Sequence, residues 1–486
     1  MNILYAASEA YPFIKTGGLG DVTHSLPIAL NKLGDNVRLV LPAYREVLAG
    51  TGPAEMLTAW DIPGVGVTHR VQLLQVQLDE LGDYLYLIDV PALFDRPGNP
   101  YMHDEGHSWR DNAERFTVFS RAVALLALQP PDANWIPDVV HCHDWQTGLV
   151  PAFLSLSPAP PVTVFTIHNL SYDGYFSQHE FNQLQLPAIW WSPEFMEFYG
   201  GFSMLKAGMV FSDHVTTVSP TYAKEICTPE IGYRYDGLLR HMGNKLTGIL
   251  NGFDLDVWNP ATDPHLAANY SATDNFIKGK RANKSALLQL AGLSDSDAPL
   301  LGFVGRLVPQ KGIDLITAML PRLLESSTAR LVILGSGEKV FAAELLGLMQ
   351  KYPDRLHVHI GYSEPLAHLI EAGSDLFLMP SRFEPCGLNQ MYSLRYGTPP
   401  VVNHTGGLAD TVVDTTATTL KDSTANGFVF HSADAAALLA STRRALKYFT
   451  NPHAWQQVCR NGMKMELGWE ASAKEYQKLY RSEVAA

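Results

Sequence analysis

Short apolar runs alternate with segments of helical periodicity along the whole chain, and the same alternation occurs once in each half. Unbroken apolar runs are typical of strands buried on both faces of a parallel sheet, and the helices between them supply the crossover connections. The sequence therefore predicts an α/β fold with two Rossmann-like, doubly wound parallel-sheet domains. Because ligands of such sheets lie beyond the carboxyl ends of the strands, we expect a shared substrate in a central cleft that both domains face.

The predicted elements fall into two sets. In the first half we expect strands at 2–7, 36–41, 84–88, 139–141, 162–167 and 214–218, and helices at 22–33, 112–128 and 202–210. In the second half the pattern predicts strands at 300–304, 330–334, 356–360, 376–379, 400–402 and 427–430, and helices at 313–324, 339–352, 365–372, 389–396 and 433–449. Each set is large enough to build a sheet with its own core.

The boundary between the domains is predicted in the turn-rich segment 250–254, which follows the first set of strands. A chain of 486 residues exceeds what one core usually supports, so we expect domains at 1–250 and 251–465. The last segment, 466–486, contains a helix at 470–481 with apolar residues at helical spacing. We expect this helix to dock back on the first domain.

Composition limits the partners and the compartment. With 36 basic against 49 acidic residues and no Lys/Arg-rich run, nucleic acid is not an expected partner. The four cysteines, at 142, 227, 386 and 459, form no CxxC pair, so we expect reduced thiols and neither a disulfide framework nor a zinc site. No apolar run approaches about 18 residues and the N-terminus enters a strand directly, which predicts no membrane span, no signal peptide and a cytoplasmic location.

A glycine-rich turn, Lys15 to Asp21, joins the first predicted strand to the first predicted helix. Three glycines in four positions let the backbone approach a ligand, and free N–H groups at a helix start favour an anion. Lys15 adds a full positive charge. The turn is therefore interpreted as a phosphate or sugar cradle, although a tight strand-to-helix turn without a ligand would show the same pattern.

The second half contains three further turns of this kind. Arg306 and Lys311 follow a predicted strand, where a planar guanidinium and a mobile ammonium can converge on phosphate oxygens. Glu384 and Gly387 follow another strand and precede a helix, and a third turn contains Thr405-Gly406-Gly407. Three such turns in one domain favour binding of a phosphorylated ligand over packing alone.

Together these stretches resemble bacterial glycogen synthases, which belong to the retaining two-domain glucosyltransferases that also include plant starch synthases. The matching sequences are KTGGLGD at 15–21, HCHDWQTGL at 141–149, TIHNL at 166–170, TVSPTYAKEI at 217–226, GILNGFD at 248–254, GRLVPQKG at 305–312, FEPCGLNQMY at 383–392 and TGGLADTV at 405–412. The resemblance covers nearly the whole chain. It implies the GT-B architecture and the retaining transfer of glucose from ADP-glucose to the non-reducing end of glycogen or another α-1,4-glucan primer, with release of ADP.

The resemblance also implies residue roles. Arg306 and Lys311 would be the cations on the diphosphate, Glu384 the carboxylate facing the donor glucose, and His168 a catalytic residue whose backbone carbonyl and ring lie near the anomeric carbon and the 6-hydroxyl. The residues expected to bind substrate are Lys15 and Gly18 (sugar nucleotide), Asp21, Asp144 and Asn251 (sugar hydroxyls or acceptor), Tyr362 (stacked on adenine), and the turn residues Cys386, Gly387, Leu388, Thr405 and Gly406. Cys386 is expected to be a buried thiol and not a nucleophile.

The chain departs from the wider superfamily at Tyr392, where a second glutamate would stand eight positions after Glu384. Without an evident carboxylate pair, the expected mechanism is attack of the acceptor hydroxyl on the face that the diphosphate leaves. An isolable covalent glucosyl-Glu384 would contradict it. Arg306, Lys311 and two helix ends of about half a charge each sum to about three positive charges, so we expect no metal ion and no other cofactor.

Two other functions stay open at this level, a glucan phosphorylase-like enzyme and a catalytically silent glucan-binding protein. The first needs a lysine Schiff base to pyridoxal phosphate, for which the chain shows no matching lysine motif. The presence of Lys15, Arg306, Lys311 and Glu384 disfavours the second.

Several patterns admit a structural and a functional interpretation. His141 and His143 precede Asp144 and could suggest a metal, but hydrogen-bonded histidines at a strand end are favoured. The DxD-like sequences at 254–256 and 295–297 are interpreted as turns, and GSG at 335–337 as weak support for a dinucleotide. Tyr101 and Arg115 are placed on an acceptor path as a further hypothesis.

Overall fold

The computed structural model describes residues 1–78, 85–103 and 106–485, and it divides the chain into two compact units. The first unit consists of Met1–Gly252 and Trp469–Ala486, and the second of Phe253–Gly468. The C-terminal segment thus belongs to the first unit.

The first unit contains a large, mostly parallel sheet. Its strands and those of a small antiparallel sheet are β1 (Asn2–Ala6), β2 (Asn36–Pro42), β3 (Glu55–Pro63), β4 (Thr68–Val76), β5 (Leu85–Asp89), β6 (Val139–His143), β7 (Val162–Ile167), β8 (Tyr175–Ser177), β9 (Glu197–Phe198), β10 (Gly201–Ser203), β11 (His214–Thr217) and β12 (Leu246–Gly248). Among the described residues the large sheet has the order β12-β11-β7-β6-β1-β2-β5-β4-β3, and the small one β8-β10-β9. Among the strand pairs that the structure describes in the large sheet, β3–β4 and β4–β5 are antiparallel and the others parallel.

Helices cover this sheet. They are α1 (Gly18–Lys32), α2 (Arg45–Thr51), α3 (Pro91–Phe94), α4 (Asn112–Leu128), α5 (Leu149–Leu154), α6 (Gln178–Gln183), α7 (Met204–Phe211), α8 (Pro220–Glu225) and α9 (Asp236–Met242). The strands between them are almost fully buried, as in Ile3 to Ala6 of β1, which explains why they appear in the sequence as unbroken apolar runs.

The second unit contains a parallel sheet of order β15-β14-β13-β16-β17-β18. Its strands are β13 (Leu300–Leu307), β14 (Arg330–Gly337), β15 (Leu356–Ile360), β16 (Leu376–Met379), β17 (Pro400–Asn403) and β18 (Phe428–Phe430). Its helices are α10 (Phe276–Leu290), α11 (Ile313–Ser326), α12 (Lys339–Lys351), α13 (Glu364–Gly373), α14 (Asn389–Arg395), α15 (Gly406–Thr411), α16 (Ala417–Lys421), α17 (Ala435–Phe449) and α18 (Pro452–Met463).

Two apolar layers sandwich the second sheet. Leu301 of β13 packs in one layer with Ile316 of α11, whereas the adjacent Leu300 packs in the other layer with Ile370 of α13. Successive side chains of a strand point to opposite faces, so one strand contributes to both layers. This arrangement confirms the predicted doubly wound α/β fold.

The C-terminal helix α19 (Trp469–Val484) packs beside α1 in the first unit. Tyr476 and Tyr480 are buried, and the Ser472 hydroxyl donates a hydrogen bond to the Leu250 carbonyl at 2.5 Å. Burial of these side chains gives the helix the docking surface that its apolar spacing requires.

Several elements lie outside the predicted set. The hairpin β3–β4, the small sheet, β12, α10 and α18 were not predicted, and the helix expected at 202–210 begins only at Met204, after β10. Of the strand predicted at 84–88, Tyr84 lies outside the described residues and β5 begins at Leu85. No helix in the described part of the chain is long and apolar enough to cross a bilayer.

Candidate active site

Each sheet reverses its strand order at one point, which is where open α/β sheets bind ligands. In the first unit the chain leaves β5 and returns to the other side of β1 as β6; in the second it leaves β15 and returns beside β13 as β16. The loops after β1, β6 and β7, and after β13 and β16, therefore carry the candidate residues of the two units.

In the first unit, Glu9 organises the glycine-rich turn. Its buried carboxylate accepts hydrogen bonds from the Thr16 amide at 2.5 Å, the Thr16 hydroxyl at 2.6 Å and, more weakly, the Gly17 amide at 3.4 Å. The Tyr101 hydroxyl donates a further short hydrogen bond to the same carboxylate. The expectation of amide groups free for an anion is therefore wrong for Thr16 and Gly17, because an internal carboxylate already accepts from both.

The outer part of the turn carries the Lys15 charge. The Lys15 ammonium forms an ion pair with Asp21 at 2.7 Å, and both side chains are partly exposed. A Cβ atom added at Gly17 or Gly18 would meet no atom within 4 Å, so the backbone there faces open space and a ligand can approach it. Lys15, Gly18 and Asp21 thus lie together on one accessible surface.

Asp144 and His168 follow β6 and β7 and are joined directly. The His168 amide donates a hydrogen bond to Asp144 Oδ1 at 2.8 Å, and the Asp144 backbone is left-handed, with φ of 56°. A non-glycine residue in this region is strained, and such strain concentrates at ligand-binding positions. Burial, and to a lesser degree the charge of Glu9, raise the pKa of Asp144 to about 7.

Two further histidines lie behind His168. His143 Nδ1 is 2.9 Å from His168 Nε2, so the two rings share a hydrogen bond. Burial lowers the pKa of His168 to about 3 and that of His143 well below its usual value. Both rings are therefore neutral at neutral pH, and the shared hydrogen bond leaves Nδ1 of His168 as the ring nitrogen available to a ligand.

Both ring nitrogens of His141 have hydrogen-bond partners within the fold, as predicted for this histidine. Its Nε2 is 2.6 Å from the Thr166 hydroxyl, and its Nδ1 is 2.7 Å from the Tyr480 hydroxyl of α19. The part of the chain that the structure describes contains no group of three or more His, Cys, Asp or Glu side chains placed to hold a metal ion.

In the second unit, β13 and β16 bring a cation and a carboxylate together. Lys311 Nζ is 2.6 Å from Glu384 Oε2, and the Ser381 hydroxyl donates to the same oxygen at 2.9 Å. Arg306 donates to the Gln310 side-chain oxygen at 3.1 Å, and the Gln310 amide donates to the Phe383 carbonyl at 3.0 Å. Gln310 therefore links the Arg306 and Glu384 loops. Lys311 and Glu384 are 73 positions apart in the sequence, and the fold brings them into contact.

The turn after β17 packs tightly against the Glu384 loop. A Cβ atom on Gly406 would lie 1.9 Å from the Glu384 carbonyl oxygen, and one on Gly407 would lie 2.0 Å from the Cys386 carbonyl oxygen. Glycine is therefore required at both positions for this close approach. Gly407 donates its amide to the Glu384 carbonyl at 3.2 Å, so this amide, like those of the first unit, is already used within the protein.

The remaining turn residues surround Glu384. Gly387 has φ of 75°, Cys386 is buried, and Leu388 and Thr405 precede α14 and α15. These helices have seven and six residues.

Two further predicted residues, Asn251 and Tyr362, follow β12 and β15 and not the strands that carry these clusters. Asn251 is buried at the end of the first unit, and its Oδ1 has no hydrogen-bond partner among the described residues. Tyr362 follows β15, the edge strand two positions from β13, and it is 78% exposed. The Asn251 Oδ1 atom is thus a buried hydrogen-bond acceptor without a partner, which costs free energy, and a ligand that donates a hydrogen bond to it would remove that cost.

The acceptor-path hypothesis is wrong for Arg115. The residue is 1% exposed, and its guanidinium donates to the Leu93 and Pro100 carbonyls and to the Asn112 side chain. Arg115 therefore holds the segment leading to Tyr101 and does not reach a ligand. Tyr101 itself bonds to Glu9.

The DxD-like sequence at 254–256 forms a turn, as predicted, whereas the one at 295–297 lies in an irregular surface segment. Asp254 accepts the amides of Asp256 and Val257 at 2.8 and 3.2 Å. Asp295 binds both Nη atoms of Arg281 on the surface.

Comparison with known proteins gives two family matches. Residues 2–241 match the starch synthase catalytic domain, and residues 290–460 match the glycosyl transferases group 1 family. The chain is 51% identical over 480 residues to a glycogen synthase from Cellvibrio japonicus, covering 99% of this chain and 98% of that protein. It is 48% identical over 491 residues to a glycogen synthase from Hydrogenovibrio crunogenus, covering all of both chains.

Solved structures agree with the fold. The catalytic domain of starch synthase IV from Arabidopsis thaliana, bound to ADP and acarbose, matches with a TM-score of 0.89 and 35% identity over 100% of this chain and 99% of that chain. Sucrose-phosphate synthase from Thermosynechococcus elongatus matches with a TM-score of 0.60 and 19% identity over 99% of each chain, which supports the fold alone.

Proposed function

The chain belongs to the family of glycogen and starch synthases and is therefore a glycosyltransferase; from this premise we propose that it transfers glucose from ADP-glucose to the non-reducing end of an α-1,4-glucan with retention of configuration, releasing ADP. The observation that carries the proposal is the Lys311–Glu384 pair beside Arg306 at the strand-order reversal of the second sheet. The proposed domain roles are acceptor binding by the first unit and nucleotide-sugar binding by the second. The phosphorylase-like alternative has no support in either family match.

The second unit supplies the charge that the leaving group needs. Arg306 and Lys311 contribute two positive charges, and Glu384 removes one, so the protein alone gives a net charge of about +1 at this point. We propose that Lys311 exchanges its hydrogen bond with Glu384 for the donor diphosphate, which frees Glu384 to accept from the donor glucose. The bond to the anomeric carbon then breaks with its electron pair on the diphosphate, which both cations stabilise.

The remaining proposed roles concern the sugar units and the base. His168 offers its backbone carbonyl and Nδ1 to the transferred glucose, while Asp144, Asp21 and Asn251 bind sugar hydroxyls. Lys15 and Gly18 of the first unit contact the sugar nucleotide, and Tyr362 of the second unit stacks on the base. The acceptor hydroxyl attacks on the face from which ADP departs, its proton passing to a departing phosphate oxygen.

The deciding experiment measures ADP release with ADP-glucose and UDP-glucose, each with and without glycogen and in EDTA. We expect glycogen-dependent turnover on ADP-glucose that persists in EDTA and falls by about 10²- to 10³-fold in Lys311→Ala, since a transition-state charge partner is removed. Lys339→Ala, which removes an exposed lysine of the same unit, is the matched control and should retain wild-type turnover. A preference for UDP-glucose, a metal requirement or an active Lys311→Ala enzyme would contradict the proposal.

A further inference from the structure

His143, the buried histidine behind His168, has no role in the proposed reaction so far. It is the last residue of β6, and its ring contacts those of Tyr5 and His141, with centroids 4.2 and 4.0 Å away. His141 is held in turn by the Tyr480 hydroxyl of α19 at 2.7 Å. Side chains from β1, β6 and α19 therefore fix the position of the His143 ring.

The hydrogen bond between His143 and His168 has two possible directions. His143 Nδ1 is 2.9 Å from His168 Nε2, so one of these nitrogens donates and the other accepts. Burial lowers the pKa of both imidazoles, and each neutral ring carries a single proton. If His143 donates, the proton of His168 lies on Nδ1 and faces a ligand. If His168 donates from Nε2, its Nδ1 is an acceptor without a proton.

The second nitrogen of His143 distinguishes the two directions. His143 Nε2 is buried and has no hydrogen-bond partner among the described residues. If His168 donated, the proton of His143 would lie on this Nε2, as a buried N–H without an acceptor. If His143 donates, Nε2 carries only a lone pair. In protein interiors an N–H without an acceptor is rarer than an acceptor without a donor, which favours donation by His143.

We propose that His143 is a positioning residue: it donates a hydrogen bond from Nδ1 to His168 Nε2 and so holds His168 in the tautomer that donates from Nδ1 to a ligand oxygen. This inference rests on the proposed function. The hydrogen bond made by one ring nitrogen sets which nitrogen of a histidine carries the proton.

The fixed tautomer limits what His168 does in the transfer. Its Nδ1 already carries a proton and its Nε2 already accepts from His143, so neither nitrogen is free to take the proton of the attacking hydroxyl. His168 therefore stabilises an oxygen atom as a donor and is not the general base. This agrees with the proposed passage of the acceptor proton to a departing phosphate oxygen.

The first test reads the tautomer directly in the wild-type chain. Long-range ¹H–¹⁵N correlation spectra of the full chain, labelled with ¹⁵N-histidine, show which ring nitrogen carries the proton. The chain has 17 histidines, so spectra of His143→Asn and His168→Gln identify the two rings by the loss of their signals. We expect a proton on Nδ1 and none on Nε2 in both rings. A proton on Nε2 of His168 would overturn the inference.

The second test uses a matched pair of variants, His143→Asn and His143→Asp. Asparagine and aspartate carry a polar atom at the same point of the side chain as Nδ1 of histidine, but the amide donates whereas the ionised carboxylate only accepts. At pH 8 we expect kcat of His143→Asn to stay within about fivefold of wild type. The kcat of His143→Asp should be about 10²-fold lower, as for loss of a preorganised donor, with the KM for ADP-glucose within about threefold in both.

The pH profile separates this role from a merely structural one. A proton added to the carboxylate–imidazole pair of His143→Asp, on either partner, returns a proton to His168 Nδ1. The kcat of His143→Asp relative to His143→Asn should therefore rise as pH falls from 8 to 6. The other titratable groups around the pair, which both variants share and which the ratio cancels, are Tyr5, His141, Asp144 and, against His141, Tyr480. A flat ratio, or equal kcat values at pH 8, would overturn the inference.

The outcomes for the inference and for the proposed function are separable. If His143→Asp does not fold, as its thermal transition would show, the wild-type tautomer still decides. A wild-type chain with the proton on His168 Nδ1 that transfers no glucose from ADP-glucose would contradict the proposed function alone. A chain that transfers glucose with the proton on His168 Nε2 would contradict the inference alone.

Discussion

The buried carboxylate of Asp144 should make the first unit less stable as pH rises. Its pKa is raised from 3.8 to about 7, chiefly by burial. Between pH 3.8 and pH 7 the unfolded chain loses this proton while the folded chain keeps it. The free energy of unfolding is therefore undiminished below pH 3.8, falls as pH rises from there, and has lost the whole contribution once pH passes 7. At about 1.4 kcal/mol per tenfold change, the penalty above pH 7 is at most about 4 kcal/mol.

The substitution Asp144→Asn removes this penalty. Its unfolding free energy relative to wild type should grow by about 3 kcal/mol between pH 5 and pH 8, or roughly 6–10 °C in the midpoint of the first unit's thermal transition. Loss of hydrogen bonding to the His168 amide would add an offset, but that offset is independent of pH. Differential scanning calorimetry across this range, with Asp61→Asn at an exposed ion pair as control, measures the slope. A difference that does not change with pH would refute the reasoning.

Two other results are expected. In Glu9→Gln the carboxylate that accepts from Thr16 and Gly17 is lost, so the KM for ADP-glucose should rise about tenfold with a smaller change in kcat, while Glu46→Gln on the exposed side of α2 should match wild type. Equal KM values would show that Glu9 does not position the turn. Because burial lowers the pKa of His168 to about 3, its C2–H resonance should not show the full shift of an imidazole protonation between pH 5.5 and 8.5. Titration of the neighbouring Asp144 near pH 7 can move it only slightly, so a full protonation shift there would contradict a neutral imidazole.

Local patterns predicted most of the strands that build the two sheets, and the exceptions have a physical reason. The hairpin β3–β4 lies at the sheet edge, and most of its side chains are partly exposed, so it lacks the unbroken apolar run of a central strand. The β8–β10–β9 sheet has strands of two or three residues, shorter than any useful period. Such elements depend on contacts that no local window contains.

The same distinction applies to the candidate site. Turns such as Lys15 to Asp21 could be predicted because glycine spacing is local. The role of Glu9 could not, since one of its donors, Tyr101, lies 92 positions away. A carboxylate three residues after a buried strand was the available signal, and only the fold shows what it accepts from. The Lys311–Glu384 pair was likewise predicted as two residues and not as a contact.

The electrostatics of the two units differ in a way that suits the proposed reaction. Around His168 the protein presents a neutral imidazole and a carboxylate whose raised pKa reduces its charge at neutral pH, and an uncharged sugar imposes no ionic demand there. Around Glu384 it presents two cations, Arg306 and Lys311, and these are the charges to which the proposal assigns the departing diphosphate. A part of the site that must stabilise developing negative charge gains from preorganised cations. A part that only orients sugar hydroxyls needs no more than fixed dipoles. In the proposed reaction, the strain at Asp144 and the desolvation of His168 are the costs of fixing dipoles around the sugar, and the Lys311–Glu384 ion pair keeps a cation in place for the donor diphosphate.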